Sequence, residues 1–202
     1  KNEAIAEAFG IDLNKFHAVH FGAMGIANNI EYIIDAAASL KRKNIEHIDI
    51  LFLGAGGVEN KLKQRCESEE LLNVKFLGRH PMKTLSEVVN LCDVSIVSFA
   101  NIPVLYTNSP NKLFDSLSAA KPIIVNSAGW TKDMVEDNGC GIFTDPESPK
   151  SLADALITLS TSPETLKRMG TNSRRLAETV YDKTIACKTF CTLINRFNKE
   201  KN

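Results

Sequence analysis

Nine residues, Thr107-Asn108-Ser109-Pro110-Asn111-Lys112-Leu113-Phe114-Asp115, put a cation where a helix ordinarily attracts an anion. Ser109 has the side chain of a good N-cap, and Pro110 suits the first helical position. Leu113, Phe114 and Leu117 supply an apolar face ahead of Pro122. A capping box would place Glu or Gln three residues after Ser109; Lys112 stands there instead, against a macrodipole that is positive at this end. Such a mismatch costs only about 0.3–1 kcal/mol, so a solvated surface lysine is one reading. The other is that an anion docks here, met by the free first-turn N–H groups and by the Lys112 ammonium. Asp115 follows by three residues on the same helix face, where a carboxylate could accept both hydroxyls of a ribose, or serve only as a structural helix acid. Phosphate and ribose readers on one helical turn point to a nucleotide site.

The segments that must position this turn alternate between strand and helix signals. A short helix from Asn2 to Phe9 ends at Gly10, and strand 17–21 stops at Gly22. The spacing of Ile30, Ile33, Ile34, Ala37 and Leu40 predicts a helix over 28–43, with Lys41-Arg42-Lys43 in its last turn, where cations suit the dipole. Strands follow at 48–53, 74–78, 93–98, 122–126 and 140–144, with helices between them at 59–69, from a Thr84 cap to Cys92, at 110–119 and at 131–136. Helices at 148–160, 163–178 and 183–197 complete the chain. Repeated βα units with short apolar strands imply an α/β fold: a Rossmann-like, doubly wound parallel sheet with extra C-terminal helices. Ligands of such sheets bind outside the carboxyl ends of the strands, near a switch point.

Composition narrows the function classes. The 202 residues, 44% of them hydrophobic, suffice for one well-cored domain. With 24 basic and 24 acidic residues no global field favours nucleic acid, and none is expected as a partner. Five cysteines without a C-x-x-C argue against a disulfide framework or a zinc site and fit a reducing compartment, so a cytoplasmic location is expected. No run of about 18 apolar residues is present. His17 and His20, three apart on a strand, point to opposite faces and cannot chelate a metal together; they read as ordinary strand residues. Gly54-Ala55-Gly56-Gly57 reads as a tight turn more readily than as a dinucleotide loop, and Cys187 and Cys191 as core or surface thiols.

From about residue 17 to 197 the chain resembles the carboxy-terminal, nucleotide-sugar-binding half of a GT-B fold. The family is the retaining glycosyltransferases of group 1 (family 4-like), which include capsule and lipopolysaccharide enzymes. Phe21-Gly22-x-x-Gly25, Leu53-Gly54-x-Gly56, Phe76-Leu77-Gly78-Arg79, Ser109 to Asp115, Ala120-Lys121-Pro122-Ile123-Ile124, and Cys140-Gly141-Ile142 with Asp145-Pro146 carry the resemblance, in the family's order and spacing. It implies three parts: a lead-in at 1–16 from an amino-terminal, acceptor-binding domain outside this chain, a donor domain at 17–180, and a C-terminal helix at 181–202. It also implies site roles. Gly22, Met24 and Gly25 would let backbone approach the diphosphate, and Arg79 and His80 would pack on the base, although both could be only a solvated turn before Pro81. Asp115 would hold the ribose, and Asn108, Ser109 and Lys112 would meet the phosphates, with Thr107 and Asn111 beside them and Lys112 as the catalytic cation. A nucleoside diphosphate sugar is the expected substrate, with UDP ahead of GDP by analogy. No metal and no other cofactor is expected. Peripheral association of the full-length enzyme with the inner face of the cytoplasmic membrane is compatible with the resemblance.

Two departures from the family pattern bear on activity. Many relatives carry two glutamates eight residues apart, the first touching the sugar and the second the ribose; here those positions hold Thr107 and Asp115. Relatives also supply an Arg and a Lys from the first loop, whereas Gly22-Ala23-Met24-Gly25-Ile26-Ala27-Asn28 carries no charge. Lys112 would then do most of that work, as in the subgroup with a Ser-Pro-x-Lys signature. The uncharged loop keeps open a noncatalytic nucleotide-sugar-binding module. A nucleotide-sugar 2-epimerase of the same architecture would need acids and histidines near the sugar, and the surroundings of Thr107 offer none.

Overall fold

The sheet is built from the chain's most apolar segments. Strands β1 (Phe16–Ala23) and β2 (Ile48–Ala55) are buried almost end to end, as strands covered on both faces must be. The computed structural model describes residues 2–199, with side chains through Arg196. Lys1 and residues 200–202, the outer ends of the expected lead-in and C-terminal helix, lie outside the described residues. With β3 (Val74–Gly78), β4 (Val94–Val97), β5 (Ile123–Val125) and β6 (Gly141–Phe143), the strands form one parallel sheet in the order β3-β2-β1-β4-β5-β6. The order grows outward in both directions from the β1–β4 pair, so the crevice beyond the carboxyl ends of those two strands is the switch point.

Alternation along each strand divides the core. Ala18, Ile50, Phe52 and Ile96 pack with Ile33, Ile34 and Leu40 of α2 (Ile30–Arg42), Leu62 of α3 (Glu59–Ser68) and Leu156 of α7 (Pro149–Ser160). On the other face Val19, Phe21, Leu51 and Leu53 meet Val88 and Val89 of α4 (Met82–Leu91). Ala6 of α1 (Glu3–Ala8) and Ile11 lie in that same cluster, so the segment expected as a lead-in closes this face of the sheet. Val97, Ile123 and Val125 are covered by Leu113 and Leu117 of α5 (Asn111–Ser118), Val135 of α6 (Trp130–Asp137) and Leu176 of α8 (Pro163–Thr179). Helix α9 (Lys183–Lys199) keeps its described side chains exposed.

Three helix starts differ from the sequence expectation. The chain at 28 does not enter α2 directly: Ile26–Asn28 form one 3-10 turn, Asn29 takes a left-handed φ of 44°, and the α-helix begins at Ile30. Pro81, not Thr84, stands at the cap of α4. Ser109 is not the N-cap of α5; Pro110 holds that position with φ −80° and ψ 134°. Its ring fixes φ and its carbonyl accepts the Leu113 N–H at 3.0 Å, so the helix begins one residue later and Lys112 becomes its second residue.

Candidate functional site

Lys112 leaves the start of α5 and folds back over the switch point. Its ammonium donates to Asn28 Oδ1 at 2.9 Å and lies 3.3 Å from His20 Nε2 and 5.9 Å from the centre of the Phe99 ring. Asn28 comes from the turn after β1, His20 from β1 itself, and Phe99 from the segment after β4. Among the described residues no carboxylate pairs with this ammonium, and burial alone lowers its pKa to about 8. Lys112 is therefore a cation held by neutral acceptors at the mouth of the sheet. A half-buried charge of that kind is stabilised by a bound anion.

Glycines make room for it. Gly22 has φ +105°, and a Cβ there would sit 3.5 Å from Lys112 Cε, so the lysine stem runs along the bare backbone at the end of β1. Gly54 and Gly56 let the loop after β2 lie against the loop after β1: a Cβ on Gly54 would fall 1.9 Å from the Gly22 carbonyl oxygen, and one on Gly56 2.1 Å from that of Met24. The second glycine motif thus supports the first loop by close backbone approach. On the far side, Gly129 abuts Tyr106, the Trp130 indole N–H donates to the Asn108 carbonyl at 3.0 Å, and Trp130 stacks on Phe114. These contacts hold the 3-10 helix Pro103–Thr107 and its exit against α5.

The proposed site residues divide by what their groups are already doing. Gly22, Gly25, Asn108, Ser109, Asn111 and Lys112 gather around the start of α5 and the loop after β1; Ser109 and Asn111 are exposed, and Gly25 turns the chain by accepting the Asn28 N–H at 3.0 Å. Thr107, also exposed, donates its hydroxyl to the Val104 carbonyl at 3.1 Å. Met24 is fully buried; its N–H donates to the Ala55 carbonyl at 3.0 Å, and its carbonyl faces Val58 N–H. It acts as the anchor of the loop and has no group left for a ligand. Arg79 is exposed. The His80 ring lies 2.6 Å from the Leu77 carbonyl and edge-on to Phe9, which ties α1 to the end of β3. Asp115 opens on a cavity of about 200 Å³ lined by Phe21, Met82, Leu85 and Val89, and burial there raises its pKa. Ser86 and Ser118 also line this cavity, so the cleft joins apolar side chains with a few polar groups, as small-molecule pockets do. A wider groove of about 520 Å³ between the end of α5 and α8 is lined by Ala120 and Gly170, toward the amino ends of the strands, away from where ligands of such sheets bind.

His20 and Asn28 are the site residues that sequence reasoning missed. The signal for His20 was its position two residues before Gly22, at the carboxyl end of a parallel strand. Its ring is fully buried and neutral: burial first, then the charge of Lys112, lowers its pKa to about 3, outweighing the backbone of Ile96 and Ala23. Among the described residues no three His, Cys, Asp or Glu side chains gather to hold a metal ion, and no helix is long and apolar enough to cross a membrane.

A family model described as glycosyl transferases group 1 matches residues 1–176. The chain belongs to that family. Among the curated glycosyltransferases it is similar to the alpha-D-kanosaminyltransferase of Streptomyces kanamyceticus, 21% identical over 178 residues that cover 88% of this chain and 44% of that protein. The chain thus spans less than half the length of that relative. Similar solved structures are Anabaena Alr3699/HepE in complex with UDP-glucose (TM-score 0.81, 18% identity, 97% of this chain and 53% of that one) and sucrose-phosphate synthase from Thermosynechococcus elongatus (TM-score 0.81, 14% identity, 98% and 49%). At such identities the likeness establishes the fold, a Rossmann-like α/β domain shared with GT-B glycosyltransferases.

Proposed function

We propose that this group 1 glycosyltransferase domain binds a nucleoside diphosphate sugar, UDP-linked in preference to GDP-linked, and that Lys112 receives the diphosphate. The observation that carries the reading is the half-buried Lys112, whose ammonium has, among the described residues, Asn28 and His20 as partners, beside the first turn of α5. When the bond from the sugar C1 to the diphosphate breaks, negative charge grows on the leaving phosphate oxygen. The ammonium and the first-turn N–H groups of α5 stabilise that charge more than the ground state. A donor of this kind typically contributes about 2.7–4 kcal/mol. Asp115 accepts the ribose hydroxyls at the cavity wall, and Gly22 and Gly25 allow close approach of the phosphates. His80 and Met24 support the site through Leu77, Phe9 and Ala55 rather than by touching the donor. Arg79 remains the residue of the β3 loop free to reach the base.

The full-length protein is proposed to transfer the sugar with retention and without a metal. The acceptor, a glycan or lipid-linked acceptor in surface polysaccharide synthesis, would be held by an amino-terminal domain at the inner face of the cytoplasmic membrane. Release of UDP from UDP-sugars by the full-length protein, with and without a chelator, and the anomeric configuration of the product test these points. Chelator-resistant turnover with retained configuration is expected; a metal requirement or an inverted product overturns the corresponding claim. The uncharged loop at 22–28 favours one second reading, binding without transfer. Donor binding with no turnover by the full-length protein would establish it.

A further inference from the structure

The contacts of Lys112 leave one question of chemistry open, which is what keeps a flexible lysine aimed. Its stem has four rotatable bonds, and a solvated ammonium would sweep a wide arc from the start of α5. Here the ammonium meets two fixed acceptors on elements other than its own. His20 is the more rigid of them. Its Nδ1 lies 3.1 Å from the Ile96 carbonyl oxygen on the neighbouring strand, and the ring is wedged beside Phe52, 6.0 Å between centroids. A carbonyl oxygen accepts only, and the carbonyls of Ile96 and Ala23 both favour a ring N–H; the proton is assigned to Nδ1, against Ile96, which leaves Nε2 a lone pair. That lone pair faces Lys112 Nζ at 3.3 Å.

We propose that His20 is a positioning residue: its neutral imidazole, oriented by the Ile96 carbonyl, directs the Lys112 ammonium toward the diphosphate site without cancelling its charge. The role rests on Lys112 being the cation that receives the diphosphate. A carboxylate in the place of His20 would hold the lysine equally well but would compete with the phosphate for it; a neutral acceptor orients the charge and leaves it available. Among the described residues, the groups that face Lys112 from other elements are Asn28, His20 and the Phe99 ring, none of them charged, and Asp115 stands one turn further along its own helix. Of its three protons, Lys112 gives one to Asn28 and one to His20, and the third is free for a ligand oxygen.

Removing the His20 lone pair takes away a partner that stabilises the protonated lysine, so the lysine should lose its proton at lower pH. The test follows the Lys112 amine by nuclear magnetic resonance and UDP affinity by calorimetry, from about pH 6.5 to 9.5, in the native chain, His20→Leu and His20→Gln. With His20→Leu, UDP affinity should fall about 10-fold near neutral pH, and the Lys112 titration and the decline of affinity should both move down by about one pH unit. His20→Gln, which keeps an amide oxygen for Lys112 and an amide N–H for Ile96, should restore both to within about threefold of native. If His20→Leu does not fold, His20→Asn, whose shorter amide keeps Ile96 but leaves Lys112 out of reach, carries the same expectation. A Lys112 titration unmoved by His20→Leu or His20→Asn, or His20→Gln behaving as His20→Leu does, overturns the proposal. Failure of the native chain to bind UDP would instead defeat the donor reading, while the Lys112 titration still judges His20.

Discussion

The two ends of the sheet handle charge in opposite ways. At the amino end, Asp49 of β2 is fully buried, and Lys15 and Lys75 close on its two oxygens at 3.0 and 3.3 Å. Lys75 also donates to the Gly10 carbonyl at 2.7 Å, so the cluster clasps the turn after α1 to the sheet. At the carboxyl end, Lys112 closes on Asn28 and His20, neither of which carries a charge. The buried carboxylate of the first cluster has counter-ions, and the cluster ties the turn to the sheet. Among the described residues the second has a cation without a counter-ion, an arrangement that costs the fold stability and that a bound anion would relieve.

Substitutions should separate the two ends cleanly. The largest effect is expected from Lys112→Met: UDP affinity should fall by about 100-fold or more, matching the loss of a donor worth about 2.7–4 kcal/mol, while thermal stability stays level or rises because a desolvated charge is gone. Calorimetry and a melting curve on one preparation check both halves. Asp49→Asn should do the reverse, lowering unfolding free energy by about 2 kcal/mol in urea titrations with UDP affinity unchanged. Its cost falls below the about 3–5 kcal/mol of a fully buried pair because Lys15 and Lys75 keep 32% and 29% of their side chains in water and can rehydrate.

The pH dependence sharpens the contrast further. Because the folded state lowers the Lys112 pKa to about 8 from 10.5, the unfolded chain holds the extra proton between those values. The penalty of burying the charged amine is therefore full below about pH 8 and is relieved as pH rises toward 10.5. Stability should gain over that window relative to Lys112→Met, while UDP affinity drops over the same window as the cation is lost. Parallel melting and binding measurements should show the opposed slopes. The smallest effect is expected at Ser109: Ser109→Ala should change stability by less than about 0.5 kcal/mol, below the roughly 1 kcal/mol that loss of a true N-cap costs, because Pro110 occupies the cap.

The parallel sheet and its helices were legible because periodicity is local: Ile30, Ile33, Ile34, Ala37 and Leu40 announce α2, and apolar runs such as Ile48 to Leu53 announce buried strands. Lys112 stood out in the sequence because it broke a local rule of helix starts. His20 and Asn28 were not, since they meet Lys112 from 92 and 84 residues away and neither breaks a rule where it stands. Met24 misled for a related reason. Its place in a glycine-rich loop resembles a phosphate contact, but the packing of Gly56 on its carbonyl and the bond of its N–H to Ala55 are visible only once β1 and β2 lie in register. The Ser109 cap failed on steric grounds, because the fixed φ of Pro110 and its bond to Leu113 decide where the helix begins.

The most direct test is calorimetric titration of the native chain and of Lys112→Met with UDP, GDP and ADP at neutral pH. Binding of one diphosphate by the native chain, preferentially UDP, and its loss in a folded Lys112→Met is the predicted result. Equal affinity in the two chains, or no binding of any diphosphate by the native one, would contradict the claim that Lys112 is the cation of a nucleotide-sugar site.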